Sequence, residues 1–599
     1  MFKLFKKVFK SVREYKIYAI ITPLFMIGEA AIECALPFVM TRLVKTINII
    51  REANSFEPLI PWIILIIAMT IASITCGILG GRFASMASCG FAKNLREDLY
   101  KKIESFSFEN IDHFHASSLV TRMTTDVNNA QMSFAMTIRI VIRAPLMLVF
   151  SAIMAFAVGG VLAFIFIAAI PVIALIFFII AKCAMSIFRR VFKRYDVLNE
   201  SVQENVAGMR VVKSFVREEY EDNKFSTASN SLAKDFIKAE KIVALMNPLM
   251  NTAIHIVYLL VMFLTSYLIM SNVTDPEKGA EIVDGSVVWN GLGPEDMSAL
   301  LSYGVQILMS IMMISMIVTM LVMSFESIRR ICEVLDEEPT IVNPENPVMA
   351  LKDGSVTFKN VSFKYNKDAE RNAVENINID IKSGQFIGII GSTGSGKSTL
   401  VNLISRLYDI SDGELDVGGH DVKSYDLKVL RDSVAVVLQK NFLFSGTIRS
   451  NMQWGNKNAT DEEIMNAIRI AQIPDIINHY KEGLDHVVEQ GGANFSGGQK
   501  QRLCIARAVL KKPKILILDD STSAVDTKTD KMIRKALKSD LPSMTKIVIA
   551  QRISSIEDAD QIIVLDNGKI DGIGTHSELL KNNLIYQEVY YSQTQKGGR

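Results

Sequence analysis

The sequence predicts an α-helical six-span transmembrane bundle with long cytosolic helix extensions, fused to an α/β P-loop nucleotide-binding domain. Three observations carry this. Apolar runs long enough to cross a bilayer crowd into roughly the first 330 positions of the chain. Past a polar, proline-containing stretch, short apolar strands alternate with helical segments. Within that second half, Gly391-Ser392-Thr393-Gly394-Ser395-Gly396-Lys397-Ser398-Thr399 fits G-x-x-x-x-G-K-[ST].

At 599 residues the chain is too long for one core. Apolar residues make up 49%, and the net charge of +2 is too small to argue for nucleic acid as a partner. The six cysteines (34, 76, 89, 183, 332, 504) are far apart with no C-x-x-C spacing, which reads as free thiols.

Taken in order, Met1–Lys10 alternates bulky apolar residues with lysine and reads as a helix lying on anionic lipid. A signal peptide is disfavoured, because the apolar stretch that follows is long and lacks a small-residue cleavage site. Six spans are expected at about 17–47, 58–83, 138–158, 161–187, 247–270 and 298–325. Gly159-Gly160 makes the turn between the third and fourth. Basic residues gather at the N-terminus, at Lys93–Lys102, at Lys182–Lys224 and at Arg329-Arg330, while Ser271–Asp296 is acidic. The positive-inside rule therefore places both termini in the cytosol. The connections 84–137 and 188–246 are amphipathic and helix-forming, as expected of spanning helices that continue into the cytosol.

Charges inside the spans call for a reason. Glu29 and Glu33 share one helix face, as do Arg139 and Arg143, and His255 sits in the fifth span. Such groups pair across helices or face a watery cavity that takes a substrate, and the sequence leaves both open. The sixth span carries Met309, Met312, Met313, Met316, Met320 and Met323. These thioethers either pack ordinarily or line a site for varied apolar ligands. The acidic face and the methionines tilt the expected substrate toward amphipathic, cationic compounds.

The boundaries that follow are 1–330 for the membrane domain, 331–352 for the linker and 353–599 for the nucleotide-binding domain. Strands are expected near 355–358, 377–381, 385–390, 435–438, 515–518, 546–549 and 561–565. In the P-loop, Gly391, Gly394 and Gly396 let backbone N–H groups face phosphate oxygens. Lys397 reaches the β- and γ-phosphates of ATP, and Ser398 supplies a ligand to Mg²⁺. The apolar strand Lys514–Asp519 ends in an acid placed to hold Mg²⁺.

Upstream of that strand stands Phe495-Ser496-Gly497-Gly498-Gln499. With the P-loop, this S-G-G-Q resembles the signature of ATP-binding-cassette (ABC) ATPases, and with the membrane half the chain resembles an ABC exporter half-transporter over nearly its whole length. The resemblance implies further roles. Tyr365 would stack on adenine, and Gln439 would touch Mg²⁺ as the Q-loop glutamine. Ser523–Asp526 matches the D-loop, and Ser107–Asp126 and Arg210–Phe225 match the two coupling-helix regions. Ser496, Gly497, Gly498 and Gln499 would act on ATP held by a second half-transporter. Membrane lipid and an amphipathic small molecule are the other implied partners.

Two departures from the family pattern stand out. The residue after the Walker B aspartate is usually glutamate, and here it is Asp520. A carboxylate withdrawn by about 1–1.5 Å loses alignment with the attacking water, and misplacement of that size costs about 10²-fold. The switch histidine is Gln551, which cannot carry positive charge. Val488–Gly492 also departs from the family's G-E-R-G. The implied picture is the degenerate-site subunit of a heterodimeric bacterial exporter in the cytoplasmic membrane. A homodimer with two slow sites and an ATP-gated channel or regulatory module are the alternatives.

Overall fold

Helices in the first half overrun the hydrocarbon thickness, as the amphipathic connections require. In the computed structural model, which describes residues 2–50, 56–273, 280–283, 286–289, 293–366, 369–520 and 525–595, they cover Lys16–Ile50, Ile60–Glu104, Phe164–Ala207, Met246–Val273 and Pro294–Asp336, while the 18-residue Ile142–Gly159 is continued inward by the turn Thr137–Val141 and the helix Val127–Met136. A bilayer core needs about 20 helical residues, so the 45 residues of Ile60–Glu104 project about 35 Å beyond it. Among the described residues, five stretches are long and apolar enough to span, and one of them, Ala116–Phe188, contains the reversal at Gly159-Gly160 and so holds two helices. Ile64, Ile67, Ile71, Ile74 and Ile78 form an exposed stripe at helical spacing, which suits a lipid-facing surface.

Two compact units emerge. One comprises Met1–Glu104 and Ala116–Glu337, the other Ser105–His115 and Glu338–Arg599. In the first unit, polar contacts register the apolar helices. Tyr303 Oη donates to the Cys34 carbonyl at 3.0 Å, and Ser151 Oγ donates to Gln306 Oε1 at 2.8 Å. Pro37 sits inside the first spanning helix, where Thr41 Oγ1 donates back to its carbonyl at 3.0 Å.

The N-terminal segment differs from the lipid-surface expectation. Phe2–Val8 is helical, but Val8 is fully buried and Phe9 packs edge-on against Phe91 and Phe134, with Lys7 paired to Asp336. Its apolar side thus meets protein rather than headgroups, because the long helices extend far enough to receive it. The last spanning helix also runs through Asp336, into the stretch expected as linker, since the first proline after it is Pro339.

In the second unit a six-stranded sheet has the order Lys569–Gly574, Gln561–Asp566, Phe386–Gly391, Thr545–Ile549, Ile515–Asp519, Val434–Val437. Its strands are parallel except at the Lys569–Gly574 edge. A four-stranded antiparallel sheet, in the order Val374–Ile381, Val356–Phe363, Asp412–Val417, His420–Asp421, packs beside it. The parallel strands are buried along almost every residue, and ligands of such sheets bind beyond the strands' carboxyl ends.

Candidate functional site

Three neighbouring strands deliver the site. The P-loop follows Phe386–Gly391, Asp519 ends Ile515–Asp519 with Asp520 next in the chain, and Gln551 follows Thr545–Ile549. Gly394 and Gly396 take φ of +85° and +92°, a region closed to most side chains. A Cβ on Gly396 would lie 2.6 Å from the Ala373 carbonyl oxygen. The loop then enters the helix Lys397–Ile404, whose N-terminus favours an anion. Thr393 lies in the loop's turn and Thr399 is buried in the helix. Lys397 Nζ rests on its own loop, donating to the Gly391 and Ser392 carbonyls at 3.0 and 2.6 Å and to Ser395 Oγ at 3.4 Å. Burial pulls the Lys397 ammonium below its ordinary range, while Asp519 and Asp520 push it back up. A polyphosphate among these donors relieves the same burial cost.

Ser398 Oγ donates to Asp519 Oδ1 at 3.0 Å. A hydroxyl beside a carboxylate is the hard-oxygen pair that Mg²⁺ accepts when phosphates and water complete its shell, so the residues fit the ion. Asp519 is 5% exposed, and burial raises its carboxyl above the ordinary range. Asp520 takes φ of +46°, a conformation that aspartate tolerates better than most residues. Its Oδ2 accepts from Gln551 Nε2 at 2.7 Å and from Gln439 Nε2 at 3.4 Å. Burial raises Asp520 as well, against those two amide bonds and the charges of Lys397 and Arg552. The two departures from the family pattern are therefore in direct contact.

Tyr365 is half-exposed beside the P-loop helix, with its Oη 3.1 Å from Thr399 Oγ1. At the signature, Ser496 caps the helix Gly497–Leu510. Its Oγ accepts from Gln499 N–H at 3.3 Å, and its own N–H donates to Gln499 Oε1 at 2.8 Å. This box leaves the Gly497 and Gly498 amides heading the helix on an exposed face, ready for an anion. Before it, Gly491 and Gly492 take φ of +65° and +66°, so the departure from G-E-R-G keeps a glycine-dependent bend. Of the D-loop match, residues 521–524 lie outside the described residues, and Asp526 caps the next helix by accepting from Thr529 N–H at 2.9 Å.

In the membrane unit, Arg143 pairs with Glu33 at 2.7 Å and Glu29 at 3.4 Å. The acidic face read as a cation site already holds a cation of the protein itself. Of the second coupling region, Met209–Ser214 is helical, with Val211, Phe215 and Val216 exposed.

Two partners escape a linear reading. Gln593 of the C-terminal helix braces the switch segment, donating to the Gln551 carbonyl at 2.8 Å and accepting from Ile553 N–H at 2.9 Å. Tyr408 Oη donates to Asp112 Oδ2 at 2.6 Å, and its ring lies 5.1 Å from Tyr365 and 6.1 Å from Phe108. Asp112 belongs to the short helix Phe108–Phe114, which clusters with the nucleotide-binding unit. Ser107 Oγ and Asn110 Nδ2 fasten this helix to Thr340 Oγ1 at 2.6 Å and to the Glu338 carbonyl at 3.1 Å. Tyr408→Phe keeps the ring packing and removes one bond to an exposed carboxylate, at a cost of about 1 kcal/mol. Basal ATPase is expected to hold within about twofold while substrate-stimulated ATPase falls about fivefold. Equal loss of both would place Tyr408 in nucleotide binding instead.

A membrane-embedded helical unit joined to a P-loop ATPase unit defines the class. The family model for the ABC transporter transmembrane region matches residues 19–278, and the ABC transporter model matches residues 374–523. The uncharacterized ABC transporter ATP-binding protein YfiB of Bacillus subtilis is 33% identical over 593 residues, 99% of each chain. A second such protein, Rv1273c of Mycobacterium tuberculosis, is 34% identical over 88% of each. The structure of a bacterial Atm1-family ABC exporter with ATP bound shares the fold, with a TM-score of 0.78 at 23% identity over 97% of this chain and 98% of the other. The chain belongs to the ABC transporter family and has the exporter arrangement of fused membrane and ATPase domains.

Proposed function

We propose that this chain is the degenerate-site half of a heterodimeric exporter that drives amphipathic small molecules, drugs or lipids, out across the cytoplasmic membrane, with both termini in the cytosol. The observation that carries the reading is the Asp520–Gln551 contact of 2.7 Å beside an intact P-loop. Gly391–Thr399 and Tyr365 hold ATP. Ser398 and Asp519, with Gln439 near, hold Mg²⁺, which when bound neutralises phosphate charge. Asp520 is the acid nearest an attacking water, but it is one methylene short and is engaged by two neutral amides. A neutral glutamine cannot supply the positive charge of a histidine at the γ-phosphate. ATP is therefore gripped here and cleaved slowly. Ser496 and the Gly497 and Gly498 amides complete the partner subunit's site, where turnover is fast. Nucleotide-driven closure of the cassettes opens the helices outward, and hydrolysis at that second site resets them.

The test compares Mg²⁺-dependent ATPase of the purified chain alone with that of the co-purified two-subunit complex. The complex is expected to exceed the lone chain by about 10²-fold, the scale set by a carboxylate misplaced by about 1 Å. Rapid turnover by the lone chain as a stable homodimer removes the heterodimer reading.

A further inference from the structure

The side chains Glu29, Glu33, Arg139 and Arg143 do not cancel as two matched pairs. Both Glu29 and Glu33 converge on Arg143. Among the described residues, no carboxylate lies within ion-pair distance of Arg139, which is exposed. Arg139 sits in a π-helical turn, Thr137–Val141, inserted between the helices Val127–Met136 and Ile142–Gly159. Such insertions recur at functional sites, because they re-aim side chains at the expense of regular helix geometry. Twenty residues separate Arg139 from Gly159 at the outer turn, so it lies about 30 Å below that turn, at the inner edge of the hydrocarbon core. At that depth a guanidinium either snorkels to the headgroups or faces a watery cavity.

A cavity is present there. It measures about 300 Å³, and Arg139, Arg143, Met136, Met313, Met316 and Met320 contribute to its wall, with no carboxylate among the lining residues described. Arg143 is already engaged by Glu29 and Glu33, so Arg139 is the cation that this lining leaves for a ligand. Unbranched thioether side chains re-pack around ligands of varied shape. The lining thus combines a cationic end with an adaptable apolar wall, at the lower limit of small-molecule site volumes of about 300–1,000 Å³.

Resting on the transport reading above, we propose that this cavity is a binding site for anionic amphiphiles. A phosphate, sulfonate or carboxylate head pairs with Arg139, and a single apolar tail lies along the methionines. This sign is opposite to the cationic preference that the acidic face alone suggests, because Arg143 already occupies that face.

The experiment uses the full-length two-subunit complex in phosphatidylcholine nanodiscs and measures equilibrium binding of radiolabelled decyl phosphate, with decyltrimethylammonium as the charge-reversed probe. Decyl phosphate is expected to bind saturably, about tenfold more weakly in Arg139→Gln and within about threefold of the parent in Arg139→Lys. Met316 is 69% exposed, so Met316→Glu is expected to fold, to weaken decyl phosphate binding and to admit decyltrimethylammonium. Displacement by phosphatidylglycerol mixed into the discs identifies a lipid headgroup as the natural head, and lack of displacement identifies a single-chain anion. Non-saturable binding, equal binding of both probes, or an unchanged Arg139→Gln overturns the site. Arg139-dependent binding with no ATP-driven movement of decyl phosphate in proteoliposomes keeps the site and removes the transport reading. ATP-driven movement of decyltrimethylammonium that ignores Arg139→Gln does the reverse.

Discussion

Replacing Gly498 by aspartate in this subunit is expected to reduce ATPase of the two-subunit complex by about 10²–10³-fold, the scale of losing a donor aimed at transition-state charge. The variant separates folding from function. Gly498 lies in the first turn of the helix Gly497–Leu510, which carries no acidic residue there. A carboxylate at that end of a helix is favourable by about 0.3–1 kcal/mol. The capping box between Ser496 and Gln499 does not involve the Gly498 side. In the heterodimer proposed above, the same carboxylate would face the γ-phosphate of the ATP bound to the partner subunit and repel it. Lys397→Ala in this chain is the contrasting variant. It removes the ammonium now resting on the Gly391 and Ser392 carbonyls, in the site argued to turn over slowly. Complex ATPase is then expected to fall only about two- to threefold, through weaker closure of the cassettes, the size of a modest binding loss. Steady-state ATPase of complexes matched by size-exclusion profile decides the matter. Equal losses in the two variants mean that both sites fire, and the asymmetry is gone.

The proposed asymmetry can be read from the amino-acid sequence because the motifs that suggest it are local. A P-loop is eight consecutive residues whose glycines and lysine act through backbone shape and one side chain. The spans are legible because a bilayer imposes length and composition on a continuous segment. Features built from distant residues are not. Tyr408 and Asp112 are 296 positions apart, and neither carries a motif that announces the other. Gln593 stands in an ordinary helical stretch, and only folding brings it to the Gln551 carbonyl. The Phe2–Val8 helix resembles a membrane-surface segment because periodicity reports an apolar face without reporting what covers it. Likewise the Glu29/Glu33 face is legible as a face, but its occupant Arg143 lies 110 residues from Glu33.

The second large effect concerns the site this chain keeps for itself. The double variant Asp520→Glu with Gln551→His is expected to raise hydrolysis there by about 10–10²-fold, because it moves the carboxylate forward by about 1 Å and restores a group able to carry positive charge. It should be read with Gly498→Asp also present in this chain, so that the partner's site is silent and the remaining turnover comes from the restored pocket. The single variants should do far less. Asp520 Oδ2 and Gln551 Nε2 are 2.7 Å apart, so a longer acid alone crowds the amide, and an imidazole alone meets a carboxylate that is too short. Contacting residues of this kind couple strongly, so the gains are not additive. Glutamate also fits the +46° backbone at position 520 less well than aspartate, at a cost of about 1 kcal/mol. A small drop in melting temperature should therefore accompany the gain in rate. If the double variant melts lower and hydrolyses no faster, the weakness of this pocket lies beyond these two side chains, in what the partner subunit's signature supplies to it.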